Sequence, residues 1–537
     1  ETAENQRQAS ACGKVDAYCC YLRQQNLYRM SSVNSKQIAK NTFFLYVRML
    51  LLLGVSLYTS RVILKVLGID DYGIYNLIAG FVTFLAFISN ALVSAMQRYF
   101  NVALGKNDVQ NYKDVFSMSI NILVGFSFLI LLVGETLGLW FVTKHLNIPL
   151  ERYGAAMWVY QISLLTFIAN TLRTPFHASI IAHEKMSFYA YVSLLEVFLR
   201  LGIVFLLTGI SGDHLIMYAL LYLLVIVLVN AIYMIYCRNR FHECRYEFKK
   251  DKVLLKDLMS FSGWTLMGQA SVVIKNQGEA ILINRFFTVA ANAAMGVASQ
   301  VANALEMFVS NFQTAFNPQL IQSYASKDYE SHKNLLFRAS KFSYFLLLIM
   351  LIPIVANIDF ILNLWLQEVP EYTNYFVTFI LISYLFNAIS NPFATSLFAT
   401  GNIKKYQISL ACTFMCGLII ILFVLSLGVP PYSVSIVAIG IQFSLMLFRL
   451  YYSHKYIGFS YVRFMSNVIL PIIAVSILSV IVPYLLSRWA DNTFKSMLSM
   501  LLEVIYTGLL ILFIGMNHNE RLVITNLSLI HISEPTR

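Results

Sequence analysis

Eight charged side chains lie well inside long apolar stretches of this sequence. A charge at the centre of a lipid bilayer costs about 2.5–3.5 kcal/mol on insertion scales, so the set would cost on the order of 20 kcal/mol without partners. Such groups must therefore pair with one another or line a polar cavity inside a helical bundle. They are Arg48, Arg61, Arg173, Glu196, Arg200, Lys275, Glu279 and Glu306.

Four of these charges form two pairs whose members are four residues apart. On an α-helix this spacing places Glu196 beside Arg200, and it places Lys275 beside Glu279. Each pair can neutralise itself on one helix face, which is a purely structural interpretation. The alternative is a functional polar site, and the spacing leaves both interpretations open.

The other cations differ in how easily their charge is explained. Arg48 and Arg61 lie near predicted helix ends, where long side chains can reach the membrane surface. Arg173 lies deeper in its apolar stretch and has no such outlet. Guanidinium groups in a polar cavity favour phosphate, which they bind through two parallel hydrogen bonds. A cationic cavity in a lipid-embedded bundle therefore indicates a substrate that carries phosphate or diphosphate.

Motifs for other chemistry are absent from the sequence. It contains no P-loop, no GxSxG nucleophile motif and no HExxH zinc motif. The internal cysteines Cys237, Cys244, Cys412 and Cys416 form no CxxC pattern. We therefore expect no enzyme activity, no catalytic residues, no cofactor and no bound metal.

The composition indicates the elements that must hold these charges. The 537 residues are 58% hydrophobic and only 12% charged, whereas soluble domains contain about 25% charged residues. Mean hydropathy is +0.66. The sequence predicts an all-α polytopic membrane protein with about fourteen transmembrane helices. The predicted spans lie near 42–67, 73–97, 116–143, 153–182, 187–210, 214–237, 257–285, 288–316, 339–366, 374–400, 405–429, 432–455, 464–487 and 496–516.

Basic residues predict how the helices are oriented. The connection 238–256 is rich in Lys and Arg, and connections of the same parity contain further cations, including Arg98 and Arg449. Since cytoplasmic loops carry such an excess, both termini are predicted to be cytoplasmic. The net charge of +12 is mostly this bias. It does not indicate a nucleic-acid partner.

An internal repeat divides the chain into two pseudo-symmetric lobes of six helices. A shift of 223 residues superimposes a polar stripe in the second span on one in the eighth, and Pro175-Phe176 matches Pro392-Phe393. Matched polar faces favour a central substrate cavity, although hydrogen bonding between helices would also explain them. The stripes are Asn76, Gly80, Thr83, Phe87, Asn90, Ser94 and Gln97, then Ser299, Asn303, Glu306, Ser310, Gln313 and Asn317. Asn90, Asn303 and Gln313 are the candidate polar ligands.

These patterns predict the domain boundaries. Two segments are expected to be non-native. The first is the tail upstream of Met30, since residues 1–29 contain no Met. The second is a terminal stretch that looks like a translated sequencing adapter. The predicted units are the upstream tail 1–29, the N-lobe 30–237, the basic linker 238–256, the C-lobe 257–455, two extra helices in 456–526 and the adapter stretch 527–537.

The run TSRVILKVLGIDDYGIYNLIAGFVTFLAFISNALVSAMQRYFNVALGK carries a family resemblance. It contains an Arg near the outer end of span one, then LG-x-x-x-YG-x-Y, then a polar second span that ends at a basic loop. This pattern resembles the oligosaccharide-flippase branch of the multidrug/oligosaccharidyl-lipid/polysaccharide exporter superfamily. The resemblance extends over 36–516, including both lobes and the extra helices.

The resemblance implies a function. Such proteins move oligosaccharide repeat units on a polyprenyl diphosphate across the bacterial inner membrane, for O-antigen of lipopolysaccharide, capsule or exopolysaccharide. The lobes would alternate between inward-open and outward-open states. The family's cation-lined lumen corresponds to Arg48, Arg61 and Lys275, and chemistry alone adds Arg173 and Arg200. Membrane lipids are implied partners, and a polysaccharide polymerase with its chain-length machinery is a further expected one.

An ion-coupled drug or cation antiporter of the same superfamily is the alternative function. That activity favours carboxylates in the first and seventh spans, and 42–67 contains neither Asp nor Glu. Glu279 and Glu306 keep the alternative open, and together with Glu196 they are the candidates for ion coupling. A non-transporting membrane scaffold would need none of the cavity charges.

Overall fold

A computed structural model of the chain describes most of the predicted spans. The described residues are 41–52, isolated positions between 54 and 78, 86–145, 150–209, 212–287, 289–366, 369–486, 492–518 and 520–521. Arg61 and the predicted tails 1–29 and 527–537 lie outside them. The orientation in the membrane and the domain boundaries stay predictions.

The described residues are mostly helical and contain no strand. Fourteen helices are numbered here in chain order, and a short helix, Ile358–Trp365, lies between α9 and α10. They are α1 (Asn41–Leu52), α2 (Ala86–Gly105), α3 (Val109–Lys144), α4 (Tyr153–Ala182), α5 (Met186–Leu207), α6 (His214–Arg240), α7 (Lys252–Phe286), α8 (Val289–Ala325), α9 (Tyr329–Ala356), α10 (Thr373–Thr400), α11 (Lys404–Ser426), α12 (Ser433–Ile457), α13 (Tyr461–Leu486) and α14 (Thr493–Gly515).

Within the described residues, ten helices are long and apolar enough to cross a membrane. This confirms the predicted all-α polytopic class. The number of fourteen crossings stays a prediction, because most of 53–85 lies outside the described residues. Helices α7 and α8 are long enough to cross but more polar than the ten. Helix α7 carries the predicted pair of Lys275 and Glu279, and α8 carries the second predicted polar stripe.

Short polar side chains determine where several helices begin. Asp108, Asp213, Asp251 and Asp328 each accept a hydrogen bond from a backbone N–H in the first turn of the following helix. Such caps satisfy amide groups that no helical carbonyl can reach. The residue before Asp328, Lys327, has φ of 62°, and the residue before Asp108 has φ of 53°. The same left-handed turn followed by a capping Asp thus occurs at matched places in both lobes.

Helix packing repeats with an offset of six helices. Helix α4 packs on α6 as α10 packs on α12, and α2 packs on α4 as α8 packs on α10. The two largest hydrophobic cores among the described residues follow the same division: one runs from Ile63 to Leu258 and the other from Ile283 to Met516. The two predicted lobes are confirmed. The extra helices α13 and α14 pack against α9 of the C-lobe.

The lobes contact each other at one end of the bundle, which we call the inner end because it carries the basic linker 238–256. Here α2 packs against α7 and α8. Gln322 donates hydrogen bonds to the Asn101 side chain at 3.0 Å and to the Ala182 carbonyl at 2.9 Å. Gly105 must be glycine at this contact, since a Cβ there would lie 2.5 Å from the Gln322 carbonyl oxygen. The structure is therefore closed at the inner end.

Arg98 corrects one expectation drawn from the charge pattern. The sequence places it in a basic loop, but α2 continues to Gly105 and holds Arg98 between the lobes. Its Nε donates to the Phe398 carbonyl at 2.7 Å, and its guanidinium lies 4.9 Å from the ring centre of Phe261. The residue therefore closes the inner end as well as adding to its positive charge.

Candidate functional site

A cavity of about 470 Å³ lies among helices of the N-lobe and is called the N-lobe cavity. Its lining combines charged, hydroxyl and aromatic side chains, and it includes four of the charges predicted from the sequence. The lining residues are Arg48, Leu52, Asn170, Arg173, Thr174, His177, Tyr189, Ser193, Glu196, Val197, Arg200 and Tyr233.

Glu196 joins two of the three guanidinium groups in the N-lobe cavity. Its Oε2 accepts from Arg173 Nη1 at 3.0 Å, and its Oε1 accepts from Arg200 Nη2 at 2.6 Å. The predicted pair of Glu196 with Arg200 is thus present, and Arg173 joins it from the neighbouring helix. The lining contains three guanidinium groups and one carboxylate, so the cavity has a formal charge of two positive with His177 neutral.

Tyrosine rings and a serine position the guanidinium groups. Arg48 donates from Nε to Ser193 Oγ at 2.6 Å and lies 4.3 Å from the Tyr189 ring centre, so it faces the cavity instead of reaching the membrane surface. Arg200 donates to the Tyr222 hydroxyl at 2.5 Å. Such contacts hold a cation over an aromatic ring without neutralising it. The sequence analysis did not identify these tyrosines as site residues. The sequence does not indicate which side chain a Tyr in an apolar span will contact.

A second cavity, of about 290 Å³, lies among α7, α8, α10 and α12 and is called the C-lobe cavity. Lys275 Nζ is 2.9 Å from Glu279 Oε2, so this predicted pair is also present. Asn303 lines the same cavity and accepts a hydrogen bond from the Tyr384 hydroxyl at 3.2 Å. The rest of the polar lining consists of amides and hydroxyls.

Glu306 and Gln313 line a third, smaller cavity of about 50 Å³. Asn387 donates to Glu306 at 3.1 Å and accepts from Arg449 at 3.0 Å. Arg449 also corrects an expectation, since the charge pattern assigns it to the inner basic surface. It is only 7% exposed, and it lies inside α12, where it also donates to Tyr406 and Ser390. The sequence could have indicated this position, because Arg449 lies within the apolar run 432–455.

The predicted site residues are therefore divided between the lobes. Arg48, Arg173 and Arg200 come together in the N-lobe, whereas Lys275 lies in the C-lobe beside its own carboxylate. Asn90 is exposed on α2 and lines none of these three cavities. The sequence analysis expected these cations to line one shared lumen. Among the described residues they line two different cavities.

Two families match the sequence. Residues 38–324, more than half of the chain, match the family described as Polysaccharide biosynthesis protein. Residues 280–423 match the family described as MatE. The first match covers the N-lobe cavity and most of α8, and the second lies within the C-lobe.

One curated protein is similar in sequence, an uncharacterized membrane protein, EpsK, of Bacillus subtilis (strain 168). It is 19% identical over 288 residues, which are 53% of this chain and 56% of EpsK. The matched region therefore spans about half the length of that relative.

Several solved structures share the fold. A MATE protein in the straight conformation superimposes with a TM-score of 0.69 at 12% identity, covering 79% of this chain and 96% of that one. The Vibrio cholerae MATE transporter VcmN, as an Asp-to-Asn variant, gives 0.67 at 16% identity, covering 79% and 98%. A MOP superfamily transporter from Pyrococcus furiosus gives 0.62 at 12% identity, covering 79% and 96%.

At these identities the structural matches establish the fold alone, and the family match rests on the sequence. The chain is a multi-pass membrane protein that belongs to the polysaccharide biosynthesis protein family and has the fold of MATE transporters.

Proposed function

We propose that the protein is a flippase that moves polyprenyl-diphosphate-linked oligosaccharides across the bacterial inner membrane. The observation that carries this proposal is the N-lobe cavity, which is lined by three guanidinium groups and one carboxylate inside an apolar bundle. A cavity with this excess of positive charge attracts an anion. Arg binds phosphate oxygens through pairs of parallel N–H donors, which suits a diphosphate.

A lipid-linked substrate explains why the anion site lies between membrane helices. The polyprenyl chain can stay in the bilayer while the diphosphate and glycan pass through the protein. Each lobe has a large hydrophobic core of its own, which allows each to move as a unit. In this mechanism the closed inner end is one state of a cycle, and the opposite state opens between α2 and α8. The same proposal includes three further expectations. Both termini are cytoplasmic, a polysaccharide polymerase is a partner, and an ion is coupled through Glu196, Glu279 or Glu306.

An antiporter for cationic drugs is the second candidate, and one observation favours it. Glu279 in the C-lobe cavity is 3% exposed, and its Oε1 has no hydrogen-bond partner among the described residues. A cation could occupy such a position. Against this, Lys275 Nζ already lies beside the other oxygen, and the larger N-lobe cavity is positive. For the Pyrococcus furiosus transporter of the MOP superfamily, a reversed polarity of the binding pocket suggests a different function.

The test is deletion of the gene followed by analysis of the lipid-linked glycans. We expect surface polysaccharide to fall and an intact polyprenyl-diphosphate oligosaccharide to accumulate. Restoring the gene should reverse both effects. Unchanged glycans combined with new sensitivity to cationic drugs would contradict the flippase and support the antiporter.

A further inference from the structure

The C-lobe cavity differs in charge from the N-lobe cavity. Its charged side chains are Lys275 and Glu279, whose Nζ and Oε2 atoms are 2.9 Å apart. The pair leaves the cavity with no net charge. A diphosphate therefore has no electrostatic reason to choose this cavity over the N-lobe cavity, which is lined by three guanidinium groups and one carboxylate.

Two hydrogen-bond acceptors in the C-lobe cavity are buried without a donor. Glu279 is 3% exposed, and while its Oε2 faces Lys275, its Oε1 has no partner among the described residues. On the facing helix α12, the side-chain oxygen of Gln442 is also buried and without a partner in the described structure. Buried polar groups are normally hydrogen-bonded, so two unpaired acceptors around one cavity indicate a ligand that supplies donors.

The surroundings restrict the chemistry of that ligand. An anion is disfavoured because the Glu279 carboxylate forms part of the wall. A metal cation is disfavoured because an ammonium group already lies beside that carboxylate, and the described residues contain no cluster of three metal-binding side chains. Amides and hydroxyls such as Asn276, Asn303 and Tyr384 continue the lining. Groups of this kind both donate and accept, which matches a neutral compound with many hydroxyl groups.

We propose that the C-lobe cavity binds a sugar ring of the cargo, with sugar hydroxyls donating to Glu279 and Gln442. This rests on the proposed flippase function and assigns a separate role to each cavity. The N-lobe cavity binds the diphosphate, and the C-lobe cavity recognises the glycan. The cavity volume of about 290 Å³ is near the lower limit for small-molecule sites, so it holds a small part of an oligosaccharide.

The test compares binding to the protein in lipid nanodiscs. The probes are undecaprenyl diphosphate without sugar and undecaprenyl diphosphate carrying glucose, galactose or N-acetylglucosamine. Gln442→Leu removes one unpaired acceptor with little change in volume. The matched control is Gln407→Leu, because the Gln407 side-chain oxygen is also buried and unpaired in the described structure but does not line the C-lobe cavity.

We expect at least one glycosylated probe to bind wild-type protein about tenfold more tightly than the bare carrier. Gln442→Leu should reduce that ratio to about twofold or less with the affinity for the bare carrier retained. Gln407→Leu should keep the wild-type ratio, and thermal unfolding of each variant shows that it is folded.

Three results overturn the sugar site. One is equal binding of all probes to wild-type protein, and another is a wild-type ratio in Gln442→Leu. The third is stabilisation of the wild-type protein by sodium ions that Glu279→Gln abolishes, since this identifies a cation site. Failure of wild-type protein to bind any carrier, with or without sugar, instead contradicts the proposed flippase function.

Discussion

Glu196 is the residue on which the electrostatics of the N-lobe cavity depend. It is the one carboxylate in the lining, and it contacts Arg173 and Arg200 from two different helices. The i,i+4 spacing predicts half of this arrangement, the contact with Arg200. The contact with Arg173 was not predictable, because periodicity identifies the face of a helix but not the neighbouring helix that it meets.

Replacing this carboxylate should affect folding and anion binding in opposite directions. In Glu196→Gln, two guanidinium groups lose their charged partner, so the thermal unfolding temperature should fall. The cavity also becomes more positive, so undecaprenyl diphosphate should bind about tenfold more tightly. Binding in nanodiscs and thermal unfolding measure the two effects. The control Glu151→Gln changes an exposed carboxylate and should leave both unchanged, whereas weaker binding by Glu196→Gln would contradict the assignment.

Arg152 makes a pH-dependent contact at the end of the bundle opposite the inner end. It donates to Asp213 at 2.7 Å and to Asp71 at 2.7 Å. Partial burial acts to raise the pKa of Asp213, but hydrogen bonds from Arg152 and from the Ile216 backbone outweigh burial and hold that pKa below its usual value. The contact therefore makes its full contribution to folding stability above the ordinary Asp pKa of about 3.9. That contribution is lost as the pH falls through the lower pKa that Asp213 has in the folded protein.

Arg152→Met should consequently reduce stability at neutral pH by about 1 kcal/mol, as expected for a partly exposed ion pair. Thermal unfolding of the variant and the wild-type protein, measured between about pH 3 and pH 7, should converge in acid as Asp213 becomes protonated. The control is Lys144→Met, an exposed cation near the same end. A difference that stays constant with pH would show that the contact does not depend on the Asp213 charge.

At the scale of helices, the contact of α2 with α8 determines whether the inner end is closed. Gly105 and Gln322 bring the two backbones together, and Arg98 adds a hydrogen bond from α2 to α10. The stripe periodicity predicted that polar faces of α2 and α8 are matched in the repeat. It did not predict closure, since a close approach of backbones depends on one small residue and on the relative positions of the lobes.

Gly105→Ala should shift the protein away from the closed inner end, because the added Cβ would lie 2.5 Å from a backbone oxygen that cannot rotate away. Spin labels at Lys106 and Lys327, which are both exposed, would report the separation of the lobes after native cysteines are replaced. We expect longer distances in Gly105→Ala. Gly125→Ala is the matched control, since a Cβ at Gly125 meets no atom within 4 Å. Identical distance distributions in all three proteins would rule out this gate.

For the whole molecule, the sequence was sufficient to predict the helical class, the two lobes and the extra helices. Hydropathy and the repeat depend on the chain's own periodicity, which is readable without a structure. The distribution of charge between the lobes was not readable in this way. Lys275 and Arg173 look alike as cations in apolar spans, but one is neutralised within its own helix while the other joins a cluster of three.

This distribution makes the central claim of the account testable: the N-lobe arginines bind the diphosphate during translocation. Lipid-linked glycan extracted from cells that lack the gene is reconstituted into liposomes with purified protein. Oxidation by impermeant periodate then measures the fraction of glycan that reaches the outer leaflet.

We predict that Arg173→Gln reduces the rate of translocation about tenfold or more with folded protein retained, whereas Arg238→Gln, at an exposed cation on the inner end, keeps the wild-type rate. Translocation by Arg173→Gln at the wild-type rate would contradict the claim.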